Sequence, residues 1–396
     1  MKSKKTHILL ECETYVQTAI LTYQQMKMME QYGNILVQMK LTRKINKNDI
    51  MWSDIVISIR GQNMLSTYIA KLCAEYKRWH CVLLDDNLFI QSRKDCFMKS
   101  RQKELGNILD STDVLLDVNE LLAEYVKEHY KVKRTVHMDS AVSEYNINKK
   151  PRVLNGEKKL IYYSNDGSNK YFSEVMGPVL SEFASENKEH FEIHCIGMGK
   201  LNTKYEGITI KYIPHLSLEE FRRYLANMDF VCGLAPLPDN DGFSQYKYYN
   251  KYIEFSMAGI PGIYSKTSPY VFVIQEFKNG LLCENKDDWK KMIHRLLCDQ
   301  KLNKDIVSCA QNDLLNNFSI EGIYERIKTQ FPEISTFKAP ELRVNFSRII
   351  KVKYLLFCIG EKINSVYRAI KRGGMIGLIK RINEYFLLKK QADFRG

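Results

Sequence analysis

Short apolar runs alternate with amphipathic stretches along most of the chain. Residues 7–12, 35–39, 55–59, 81–84 and 114–116 are apolar runs of strand length, and stretches such as 67–77 and 121–129 between them repeat apolar positions at helical spacing. Runs this short and this continuously apolar suit strands covered on both faces. Their alternation with helices predicts parallel βαβ units in a doubly wound α/β sheet. The pattern pauses over 142–156, a polar stretch holding Pro151 and Gly156, which predicts a linker. A second series follows, with strands at 159–163, 191–196, 208–213, 230–234 and 261–264 and helices at 287–297 and 304–316. Ser217-Leu-Glu-Glu220 has the spacing of a capping box and predicts a helix to about 226. The expected architecture is two Rossmann-like domains, 1–150 and 151–332. The cleft at the carboxyl ends of their strands is the default active site.

Beyond 332 the pattern changes to basic amphipathic helices over 333–396. Ile349, Ile350, Val352, Leu355, Leu356 and Ile359 gather on one helical face. Ile363, Val366 and Ile370 continue a similar stripe to Gly373-Gly374, and Ile376, Leu378, Ile379, Ile382, Phe386 and Leu387 form another. From 341 to 396 thirteen basic residues stand against four acids, which accounts for nine of the chain's net +13. Two readings fit: the helices lie on an anionic membrane, or their stripes pack back onto the protein. The body is only mildly basic and shows no recognition motif, so no nucleic-acid partner is expected.

At 396 residues, 45% hydrophobic and 27% charged, the chain is globular and long enough for two cores. Its ten cysteines include no C-x-x-C pair, and several lie in apolar runs such as Phe230-Val-Cys-Gly. They read as reduced, buried hydrophobes in a cytoplasmic protein. The eight histidines show no metal spacing, so no metal site is expected. Residues 1–7 lead straight into a strand without a signal-peptide core, and no run of about 18 apolar residues predicts a spanning helix.

The densest chemical signal is Asn250-Lys-Tyr-Ile-Glu254-Phe-Ser-Met-Ala-Gly259-Ile-Pro261-Gly-Ile-Tyr-Ser265, followed by Ser268-Pro269-Tyr270 and Asn279-Gly280-Leu-Leu. Lys251 and Glu254 fall three apart on one helical face, and Gly259-x-Pro261 stops the helix before a buried strand. A carboxylate there can accept two hydrogen bonds from a ribose or sugar diol, and a nearby lysine can offset a diphosphate. This stretch resembles the donor-binding core of GT-B glycosyltransferases, in particular the family 4 type of bacterial polysaccharide and cell-surface glycan synthesis. That type carries x-K-x-x-E-x-x-x-x-G-x-P-V-x-x-S and then N-G-L-L-V. The resemblance extends to Val82-Leu-Leu-Asp85-Asp86-Asn87-Leu-Phe89, similar to Y-x-x-D-D-x-L-F, and to Thr112-Asp-Val-Leu-Leu-Asp-Val-Asn-Glu-Leu-Leu-Ala123. Ile161-Tyr-Tyr-Ser-Asn-Asp-Gly167-Ser-Asn-Lys170 falls where members carry a glycine turn with a basic residue facing the phosphates.

The resemblance implies a GT-B fold and transfer of a sugar from a nucleoside diphosphate to a glycan or lipid-linked acceptor. It implies retention of configuration and no metal or other cofactor. Glu254, Lys251 and Lys170 would be the catalytic set. Donor contacts would come from Gly167, Gly197, Gly199, Asp241, Gly242, Phe243, Asn250, Ser268, Pro269 and Tyr270. Arg60, Asp85 and Asp86 would face the acceptor. The two aspartates can equally cap a turn or helix, Arg60 can meet a phosphate or only a carboxylate, and His215 reads as a loop histidine. Two features depart from the family. The acid expected eight residues before Glu254 is Tyr246, while Asp241-Gly-Phe-Ser244 resembles E-G-F-G thirteen residues before. Glu11, Cys12 and Glu13 stand where a glycine-rich turn is usual. A GT-B nucleotide-sugar epimerase and an inactive GT-B scaffold are the alternatives. With a membrane-seeking tail, the expected location is the inner face of the plasma membrane.

Overall fold

The computed structural model describes residues 5–90, 96–150, 158–163, 169–238 and 242–340, with 350–352, 354–356 and 359 beyond them. Two six-stranded sheets follow one another along the chain. The first contains β1 (Thr6–Cys12), β2 (Ile35–Leu41), β3 (Ile55–Ile59), β4 (Trp79–Leu84), β5 (Val114–Asp117) and β6 (Thr135–His137), in the order β2-β1-β3-β4-β5-β6. The second contains β7 (Lys158–Tyr163), β8 (Phe191–Ile196), β9 (Ile208–Ile213), β10 (Phe230–Ala235), β11 (Gly262–Ser265) and β12 (Leu281–Cys283), in the order β12-β11-β10-β7-β8-β9. All the strand pairings are parallel. The central β3 and β10 are buried at each position, as their unbroken apolar runs require when helices cover both faces. Strand order reverses between β1 and β3 in one sheet and between β7 and β10 in the other. The carboxyl ends at those reversals are where such sheets hold ligands.

Capping sets several helix starts. Ser217 and Glu220 form the expected capping box on the helix Leu218–Asn227. Asn119 accepts from Leu122 N at 3.2 Å to cap the helix Glu120–His129. Its amide also donates across the domain boundary, to Gln245 O at 3.0 Å and Lys247 O at 2.8 Å.

The linker is tied down where it is described. Val142 N donates to Phe318 O at 2.7 Å, and Asn148 N to Met257 O at 2.7 Å. The chain then returns to the first domain within 151–332. The helix Ile320–Gln330 packs against Gln17–Met29 and β6, and the Phe331 ring meets Trp79 edge-on at 5.4 Å. The junction beneath is polar. His137 lies 3.0 Å from Asp117 and 3.1 Å from Asp139, and Asp139 also accepts from Tyr248, Tyr249 and Arg326. Burial alone would lower the His137 pKa, but the two carboxylates bonded to it raise it to about 10. This cation joins β5, β6 and the segment before the linker to helices on the other side.

Candidate active site

A cleft of about 590 Å³ lies between the domains, walled by both, within the range of small-molecule sites. Its second-domain wall is built on the helix Asn250–Ala258, buried from Tyr252 onward. The helix ends on Gly259 in the left-handed conformation (φ 71°), where Ile260 N closes back on Phe255 O at 2.9 Å. A Cβ on Gly233 of β10 would lie 2.5 Å from the Phe255 ring. The bare glycine therefore lets the helix lie directly against the strand, and this sets the height of Glu254 over the sheet edge. Asn250, Lys251 and Glu254 all line the cleft. The Lys251 ammonium stands 5.1 Å from the Tyr163 ring centre and 5.7 Å from that of Tyr162, both at the end of β7. Glu254 is 9% exposed. Its carboxylate is gripped by Arg222, with Nη2 2.7 Å from Oε1 and Nε 3.0 Å from Oε2.

The first-domain wall comes from the ends of β3 and β4. Arg60 follows β3 in the left-handed region (φ 68°), an unfavourable conformation for a residue with a Cβ. From there its guanidinium reaches Asp85, with Nε 2.7 Å from Oδ1 and Nη2 2.6 Å from Oδ2. Thr18 also donates to Asp85, at 2.5 Å. Asp86 stands 3.8 Å from Arg60 Nη2. Burial and the neighbouring Asp85 push the Asp86 pKa up to about 6, against the pull of Lys247 and Arg60. Arg60, Asp85, Asp86 and Lys247 face the same cleft as Lys251 and Glu254. Among the described residues no group of three or more His, Cys, Asp or Glu side chains is arranged to hold a metal ion.

No protein family model matches this sequence. No curated protein matches it either. Solved structures do. HepE of Anabaena, in complex with UDP and glucose, aligns over 83% of this chain and 100% of its own at TM-score 0.55 and 11% identity. Sucrose-phosphate synthase from Thermosynechococcus elongatus aligns over 83% of this chain and 99% of its own at TM-score 0.58 and 11% identity. TarM, from S. aureus, aligns over 70% of this chain and 54% of its own at TM-score 0.51 and 17% identity. The chain has the GT-B fold.

Within that fold the expected site residues separate. Gly197 (φ 73°) turns the chain after β8 and lines the cleft, and Gly199 stands two residues further along the same loop. Phe243 and Tyr270 also line it. Gly242 (φ 68°) instead borders a neighbouring hollow of about 860 Å³ outside the ends of β11 and β12. Ser268, before the cis bond to Pro269, donates to Gln245 O at 2.5 Å and is 8% exposed, so it braces the loop behind the cleft. Lys170 is exposed in the first turn of the helical stretch after β7, and its neighbour Tyr171 is the one that faces the cleft. Gly167 and Asp241 lie outside the described residues. Tyr246, at the position of the missing acid, packs its ring edge-on to Tyr125 of the first domain at 5.7 Å. The ring is spent on the domain contact. Of the open alternatives, Arg60 takes a carboxylate, and Asp85 is its partner. Nothing in the sequence marks Arg222, Thr18 or Lys247 for the cleft. Arg222 lies 32 residues from Glu254, and no local spacing joins them.

Proposed function

We propose that the protein is a glycosyltransferase that takes a sugar from a nucleoside diphosphate, with UDP-sugars the first donors to try. The acceptor is a hydroxyl of a glycan or lipid-linked saccharide in cell-surface polysaccharide synthesis. The carrying observation is the pairing across one cleft of Lys251 and Glu254 on the donor side with Arg60, Asp85 and Asp86 on the other. The fold match to HepE, which binds UDP and UDP-glucose, supports the donor class.

In this reading Glu254 holds the ribose, and Lys251 meets charge that grows on the leaving diphosphate, where stabilisation speeds the reaction most. The bond from the anomeric carbon to the phosphate oxygen breaks, and the acceptor oxygen bonds to that carbon as its hydroxyl proton passes to the departing phosphate oxygen. We assign retention of configuration and no metal to the transfer, on the resemblance of the motif to family 4. Lys170 is assigned to the diphosphate on the same resemblance. Because it is exposed, Lys170→Ala should cost less than Lys251→Ala.

Incubation with a panel of radiolabelled nucleotide sugars tests the activity. Glu254→Gln should lower kcat/KM by about 30- to 1,000-fold while the fold persists, since a carboxylate–diol contact is worth roughly 2–4 kcal/mol. Near-wild-type transfer by that variant, or release of an epimerised nucleotide sugar in place of a transferred one, would sink this reading.

We further propose that the protein works on the cytoplasmic face of the plasma membrane, held by its tail. Support comes from the described part of the tail. Val352, Leu355, Leu356 and Ile359 are 53–62% exposed at i, i+3, i+4 and i+7 spacing, while Tyr354 stacks on Tyr68 of the first domain at 3.8 Å. Among the described residues no helix is long and apolar enough to cross a membrane.

A further inference from the structure

Glu254 is held by Arg222. Arg222 sits on the helix Leu218–Asn227, anchored at its start by the Ser217–Glu220 capping box. In the same turn Phe221 packs edge-on to Tyr163 at 4.7 Å. The guanidinium presents Nε and Nη2 side by side: Nη2 is 2.7 Å from Oε1, and Nε is 3.2 Å from Oε1 and 3.0 Å from Oε2. Glu254 lines the cleft, whereas Arg222 is not among the residues that line it. An ionised carboxylate has about four acceptor positions. The fork takes both positions on Oε1 and one on Oε2, which leaves a position on Oε2 for a ligand of the cleft that Glu254 lines.

We infer that Arg222 is a positioning residue that presets the Glu254 carboxylate to receive a hydroxyl of the donor's ribose. The inference rests on the nucleotide-sugar reading and adds to it a residue that never touches substrate. Two physical effects carry it. A glutamate alone at a cleft edge loses rotamer freedom when a ligand binds, whereas the two-point grip charges that loss to folding. The guanidinium also keeps the carboxylate compensated once a nucleoside covers it, because a buried carboxylate without a partner opposes binding. A lysine at 222 would supply the charge without the planar fork.

The measurement is calorimetric binding to the full chain of UDP, GDP and ADP and of their 2′-deoxy counterparts. For whichever base binds tightest, the wild type should prefer ribose by about 10- to 100-fold, the value of one hydrogen bond to a charged acceptor. Arg222→Gln should bring that preference to within about threefold, chiefly by weakening the ribose ligand. Arg222→Lys should fall between them and covers the case in which the glutamine variant does not fold. A purely structural role would weaken both ligands together and leave the ratio unchanged, and that result overturns the inference. Tighter UDP binding by Arg222→Gln overturns it too, since the guanidinium would then be occupying the ribose's place. If the wild type binds none of the nucleotides, the nucleotide-sugar reading fails first. If it binds them without preferring ribose, only this inference fails.

Discussion

Asp85 and Asp86 are adjacent in the chain but differ in what they have left to offer a ligand. Asp85 is spent: Arg60 holds both its oxygens and Thr18 takes one as well. Asp86 has only a distant share of Arg60, at 3.8 Å, and looks into the cleft beside Lys247. With its pKa raised to about 6, first by burial and then by Asp85, it is mostly ionised at pH 7.5 and mostly protonated at pH 5. An ionised Asp86 can accept from an acceptor hydroxyl. Activity should therefore rise with pH through about 6 and then level off. Asp86→Asn should flatten that limb and lower kcat/KM at pH 7.5 by about 10- to 30-fold, as a lost charge-assisted hydrogen bond would. An unchanged acid limb in the variant would assign the titration to another group. The stability effect runs the other way. The folded pKa lies above the ordinary 3.8, so this group favours folding most below that value, and the contribution is lost as pH rises through about 6.

The helix Asn250–Ala258 shows how far the sequence could be read. Lys251, Glu254, Gly259 and Pro261 announce a helix, its end and a following strand, and all of these are local relations. The two Rossmann-like sheets were legible for the same reason, because each buried strand is an apolar run bounded by polar loops. β6 and β12 are not legible as strands in the sequence. At three residues each they carry too little pattern, and they exist only as additions to an edge already formed. Arg222 and the Asn119 contacts were also hidden, because each joins side chains or loops far apart in sequence. Gly233 belongs to the same class: inside an apolar strand it looks incidental, yet Phe255 fills the space a Cβ would need. Gly233→Ala should cost about 1–3 kcal/mol through overpacking and lower transfer by lifting Glu254. Phe255→Leu in the same chain should restore part of both losses. Thermal melts and steady-state rates of the two single variants and the double variant give the coupling directly. Additive losses would mean that the strand and helix are not in the contact described.

Among the described residues the chain crosses between its halves at 142–150 and again at Phe318 and Ser319, so these two tethers and a polar junction tie the halves beneath the cleft. The second crossing also decides where the tail starts. The helix Ile320–Gln330 and the Pro332–Ile334 turn lie on the first domain, Trp79 Nε1 donates to Lys338 O at 2.7 Å, and the next described residues meet the same domain through Tyr354 and Tyr68. The tail is thus carried by the half whose Asp86 faces the cleft. A membrane bound by the tail would sit against this first domain, which suits the lipid-linked acceptor proposed above. Of the first stripe, Val352, Leu355, Leu356 and Ile359 face outward, Ile350 is half-buried, and Ile349 lies outside the described residues. The stripes through Ile363, Val366 and Ile370 and through Ile376 to Leu387 lie outside the described residues. Apolar insertion with roughly 1 kcal/mol from each basic residue near the surface should bind anionic vesicles and leave neutral ones free. Binding should weaken as salt rises. Leu355→Glu with Leu356→Glu should abolish co-sedimentation while leaving transfer to a soluble acceptor unchanged, because neither residue lines the cleft. Removal of 341–396 should abolish co-sedimentation as well. If both altered chains sediment with anionic vesicles as fully as the intact protein, the tail is not the anchor, and the exposed stripe must serve a protein partner or a second copy of the chain.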